Sequence, residues 1–230
     1  MKQNKVGIVL LVLSLLLTMD VWGFKLKKPV LKGASGGSVD VNGLSSKQND
    51  MLYDIIMATK VTSLAVAEVQ EAVGKKEEAQ KIRAVIKEAE NTKNLGKFKE
   101  AVSQVSNAQS ELKDLDSQKS VYNKEAGEKI LNALPYLYAG IKQYTEVLPK
   151  SKELLTSLQG AVKSLGTDMN NIKKVKDMID VIGFISNSLP EQISNSKKSI
   201  DYINQFLKVK GVSIPSEKEL QEKADSLEKE

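Results

Sequence analysis

The stretch ILNALPYLYAGIKQYTEVL, residues 130–148, constrains the fold more than any other part of the chain. Its side chains Ile130, Leu134, Leu137, Ile141, Tyr144 and Leu148 alternate steps of four and three, the spacing that keeps one face of an α-helix against a neighbour. Leu131 and Tyr138 widen the stripe. So broad an apolar face needs cover on more than one side, which predicts a central helix with the rest of the protein packed around it. Pro135 lies inside the stretch, lacks the N–H that would bond to the Leu131 carbonyl and crowds that carbonyl, so the sequence predicts a kink or a break near residues 131–135.

Helix formers dominate the remainder, and no run of alternating apolar and polar residues calls for a sheet, so the fold class is all-α. The expected architecture is a helical bundle of roughly six to eight mostly antiparallel helices. The chain has 230 residues and a net charge of +5, with acids and bases interspersed along the helical segments. That pattern is a mildly basic solvated surface rather than a nucleic-acid footprint, so no nucleic-acid partner is expected. With no cysteine and no histidine, the chain cannot build disulfides, thiolate nucleophiles, Ser-His-Asp triads or Cys/His zinc sites. No cofactor or metal site is expected.

Residues 1–23 read as a secretory signal peptide, in which Lys2 and Lys5 supply the positive start and residues 6–17 an apolar run of about a dozen. A membrane span needs about twenty such residues. Val21 and Gly23 suit the −3 and −1 positions of a cleavage before Phe24, although Asp20 and Trp22 make the region irregular, and an uncleaved anchor is the competing reading. Residues 24–43 read as a flexible basic linker, with Pro29, the run GASGG and four lysines, Lys25, Lys27, Lys28 and Lys32. These lysines are candidate contacts to an anionic membrane surface or glycan, at about 1 kcal/mol per charge, while the plainer reading is a solvated spacer.

The bundle domain is expected over residues 44–210. A first helix opens at Ser45, where Ser45 and Gln48 have capping-box spacing, and runs to Gly74. Shorter helices follow over residues 75–91 and 97–116. Beyond the central helix, Pro149 marks a boundary, a helix over residues 151–165 ends at Gly166, and another opens at Thr167. Ser188 and Glu191 repeat the capping-box spacing with Pro190 in the first turn, predicting a further helix that Gly211 ends. Residues 211–230 read as a charged tail, a frayed helix with little to bury.

The opening SSKQNDML, the LPYLYAGI segment, the SLPEQI helix start and the terminal KGVSIP, set after a signal peptide and a Gly/Ser linker, resemble a family of small exported bacterial all-helical proteins without an assigned activity. The resemblance implies export to the periplasm or the medium and an all-helical fold. It carries no catalytic residue.

The remaining candidate site is a partner groove. Tyr136, Tyr138 and Tyr144 cluster beside Pro135, where a kink could open a space between helices for phenol groups to bind a ligand or peptide. The plainer reading is that the rings fill the bundle with their hydroxyls at its wet edge. Asp114 and Asp116 have no third carboxylate or Asx-Gly loop beside them and read as solvated charge rather than a calcium site. The chain is therefore expected to be an exported, non-enzymatic bundle with a protein-binding or structural role in the cell envelope, its partner another protein or a second copy. The alternative is a membrane-active helical protein, from which the central helix or VIGFI at residues 181–185 detaches. Third comes an enzyme without a recognisable motif.

Overall fold

A computed structural model describes residues 39–92, 94–115 and 123–227. The expected signal peptide, Lys25, Lys27, Lys28, Lys32 and Asp116 lie outside the described residues. The described chain is helical: α1 Val41–Ala72, α2 Lys76–Thr92, α3 Leu95–Glu111 with a 3-10 turn Leu112–Asp114, α4 Lys124–Ser164, α5 Met169–Val209 and α6 Glu217–Leu227.

Side-chain caps set the starts. Asp40 accepts from Gly43 N at 2.9 Å, so α1 begins at Val41 inside the stretch expected to be linker, and Ser45 falls in the second turn rather than at the cap. Asn94, Asn123 and Asp168 open α3, α4 and α5 by accepting from backbone N–H groups of the first turn, each satisfying a donor that has no partner within its helix. Gly74 and Gly211 stop α1 and α5 in left-handed backbone, φ +89° and +71°. There Lys75 N bonds Gln70 O at 2.8 Å and Val212 N bonds Leu207 O at 2.9 Å, the closing bonds of Schellman ends.

The boundaries expected at Pro149 and Ser188 are absent, and no break interrupts the helix at Pro135. Pro135 and Pro149 both lie inside the 41-residue α4, and Pro190 lies inside the 41-residue α5. Each proline removes one helical hydrogen bond, at about 3 kcal/mol or more in a helix interior, but the buried stripes run straight through them. On α4, Val147, Ser151, Leu154 and Leu158 continue the stripe of Leu137 and Tyr144 past Pro149. On α5, Ile185, Leu189, Gln192 and Ser196 do the same past Pro190. Ser188 donates to Ile185 O at 3.2 Å instead of capping a new helix.

Contacts fix the directions. Tyr144 meets Thr59 while Gly140 meets Thr62, so α1 and α4 are antiparallel; Arg83 joins Glu68 and Glu71, and Lys60 joins Glu90, so α1 and α2 are too. In contrast α3 and α5 run parallel, with Phe98 on Phe184, Ser106 on Gln192 and Gln109 on Ser196. The role expected of the central stretch is divided. Helix α4 packs on α1, α5 and α6, but α1 is the one surrounded, touching α2, α3, α4 and α5. Its most enclosed part contains Ala58, Val66, Ala67 and Val69.

The tail differs from a frayed helix. Ser216 and Glu219 form a capping box, with Ser216 N and Ser216 Oγ each donating to Glu219 Oε2 at 2.8 Å and Glu219 N donating to Ser216 Oγ at 3.3 Å, and the two bonds from Ser216 hold the Glu219 carboxyl below its usual range. Helix α6 then buries Leu220 and Ala224, and Lys142 of α4 pairs with Asp225 at 2.8 Å.

Candidate functional site

The interior has two large apolar clusters. One gathers Val66, Val69, Leu134, Leu137, Ile203 and Leu207; the other gathers Ile55, Ile56, Phe98, Leu158, Ile182 and Leu189. Between them the helices carry small and polar residues: Thr59, Thr62 and Ser63 on α1, Gly140 on α4, and Gln192, Ser196 and Ser199 on α5, all buried. Thr59 and Ser63 donate to carbonyls one turn back, Ile55 O and Thr59 O, which lets hydroxyls sit in a helix interface without orphaned donors.

The tyrosines expected to line a groove divide between the two clusters. Pro135 is buried and Tyr136 and Tyr138 are half-buried against the first cluster. Tyr144, 0% exposed, lies in the second, its hydroxyl donating to Thr59 Oγ1 at 3.3 Å. Burial pushes its phenol up, against the opposing effect of the Thr59 and Thr62 hydroxyls beside it. A ring so enclosed cannot line a surface shared with Tyr136 and Tyr138. Tyr138 belongs to a different junction, where burial, and then Glu217 and Asp201, raise its phenol. Ile141, placed on the same stripe as Leu134, is half-buried rather than core.

Gly140 is the close approach that sequence reasoning passed over. A Cβ there would overlap Thr62 Oγ1 and lie 3.6 Å from the Ala58 carbonyl oxygen. The available signal was a glycine in a helix interior, which costs about 1 kcal/mol relative to alanine and so implies a packing reason.

A second unforeseen feature is a polar ladder between α3 and α5. Gln192 Nε2 donates to Ser106 Oγ at 2.8 Å, and Gln109 Nε2 donates to Ser196 Oγ at 3.1 Å. The two amide oxygens, Gln109 Oε1 and Gln192 Oε1, are buried without a hydrogen-bond partner.

On the α1–α4 surface, burial raises the Asp54 carboxyl above its usual range; Lys150 opposes this, while Asp50 and Glu146 add to it. A folded-state value above the unfolded one means the protonated form favours folding, a contribution present at low pH and lost as pH rises through the raised value. Asp54→Asn should therefore raise the thermal midpoint at pH 7, with the gain over wild type shrinking as pH falls through the raised value and gone once pH is below the unfolded carboxylate range. Melting curves across pH 3–8 check this, and a variant less stable than wild type at pH 7 contradicts it.

The third feature is an apolar edge. Ile141, Leu148, Leu155 and Val162 recur every seven residues, so they share one side of α4, and all four are half-buried. Ile172, Ile179 and Ile193, also half-buried, repeat at multiples of seven along one side of α5. Among the described residues no group of three carboxylates could hold a metal ion, and no helix is long and apolar enough to cross a membrane. No family model matches the chain, and no curated protein and no solved structure matches it.

Proposed function

We propose that this chain is an exported, non-catalytic helical bundle that binds another protein, or a second copy of itself, through the half-buried edge of α4. The observation that carries the reading is the row Ile141, Leu148, Leu155 and Val162, partly buried along the edge of the core at seven-residue intervals. Such a row offers a second helix the repeating knobs that helix pairs use, along a surface otherwise rich in charge. Export is supported by the leader-like residues 1–23 and by the resemblance to exported helical proteins, and a role in the bacterial envelope follows from it.

Leu155→Lys tests the edge. A half-buried leucine contributes to stability less than a core one, and a lysine stem can lie along the same surface with its ammonium in water, so the thermal midpoint should fall by only a few degrees. Association should be lost, read by sedimentation for self-assembly and by capture from envelope extracts for a partner. Association unchanged in both assays sinks the proposal.

A further inference from the structure

We infer that the seam between α3 and α5 is a built-in opening, along which α3 leaves α5 while α1, α4 and α5 stay packed. The seam is held at its centre by side chains that water could serve equally well: Ser106 with Gln192 at 2.8 Å, and Gln109 with Ser196 at 3.1 Å. Closed, it strands the Gln109 and Gln192 amide oxygens in the interior without partners. A buried acceptor with no partner is disfavoured relative to the same group in water, so hydration on opening offsets part of what the separation loses.

The neighbouring seams also bury an unpartnered atom, Thr62 Oγ1 between α1 and α4 and Gln70 Oε1 where α1 meets α3, but two of them carry fastenings that the α3–α5 seam does not. Helix α2 is fastened to α1 by Arg83 bridging Glu68 and Glu71, both at 2.7 Å, and by Lys60 on Glu90 at 2.8 Å. Between α1 and α4 the Thr62 side chain lies so close to Gly140 that a Cβ there would overlap its Oγ1. At the N-terminal end of α3, Phe98 meets Phe184 edge-on at 6.0 Å, with Lys99 Nζ 4.9 Å from the same ring. Opening exposes Phe98 and Val102, which are buried in the closed form, and so creates an apolar surface that the closed bundle hides.

Native-state hydrogen exchange on the full mature chain tests this. In wild type, mid-α3 amides around Val105 should exchange at least about tenfold faster than mid-α4 amides around Leu137, as expected of a local opening below global unfolding. Q109L/Q192L removes the stranded amides and should slow α3 toward the α4 rate. Gln192→Glu places a charge in the seam and should speed α3 further while α4 keeps its rate, which also shows that the variant is folded. Wild-type α3 amides as protected as those of α4 overturn the inference, as does Q109L/Q192L exchange in α3 no slower than in wild type.

Discussion

Gly140→Leu should leave the protein unable to fold to its native packing. A Cβ alone at this position overlaps Thr62 Oγ1, and the Ala58 carbonyl lies 3.6 Å away, so the branched side chain has no space unless α4 lifts off α1. Thr62 is fully buried and short, so it has at most another χ1 rotamer within the packing and far less freedom to move aside than a long side chain. Overpacking by single methylenes costs about 1–3 kcal/mol, and leucine adds several carbons where the first already collides. Gly140→Ala is the graded form. Alanine gains about 1 kcal/mol in helix propensity but meets the same collision, and a net loss of up to about 2 kcal/mol is expected. Thr62→Ala removes the colliding oxygen, so the double variant should be more stable than the sum of the two singles implies, with a coupling of at least about 1 kcal/mol in a denaturant-melt cycle. Strict additivity would mean that the helices do not touch at Gly140.

Leu134→Ala should cost about 2–5 kcal/mol, the range for deleting a fully buried leucine whose cavity only partly collapses. Leu134 is 0% exposed and sits in the cluster with Val66, Val69 and Leu207, on helices that their other contacts hold in place. A typical domain has only about 5–15 kcal/mol to lose. Ile141→Ala, one of the original stripe positions, should cost markedly less, because Ile141 is half-buried on the edge of α4. Equal losses from the two substitutions, measured by urea unfolding, would contradict the division between core and edge.

The all-helical fold was legible, and so were the buried positions Ile130, Leu134, Leu137 and Tyr144 of the central stretch, because helix interiors repeat at three and four residues whatever their partners. The joins were not. Pro149 and the Ser188–Pro190 pattern look like boundaries by local rules, yet α4 and α5 run through both. On α5 the stripe is occupied by Gln192 and Ser196 just past Pro190, so an apolar count breaks off where the buried face continues. Those polar residues are buried because they bond to Ser106 and Gln109 of α3, and a pairing across more than eighty residues leaves no local trace. Conversely, the Ser216–Glu219 capping box was present in the sequence, but the surrounding Glu and Lys outweighed Leu220 and Ala224, whose burial depends on α4 being alongside. Pro135 and Tyr144, expected at a kink and a partner groove, are both buried.

The central claim, that the edge of α4 is a docking face, is tested most directly by photo-cross-linking. A photoreactive residue placed at Leu155 should give one discrete adduct in envelope extracts or in concentrated protein, while the same residue at Glu153, about 200° round the helix and exposed, should give none. Adducts of equal yield at both positions, or none at Leu155 under either condition, contradict the account.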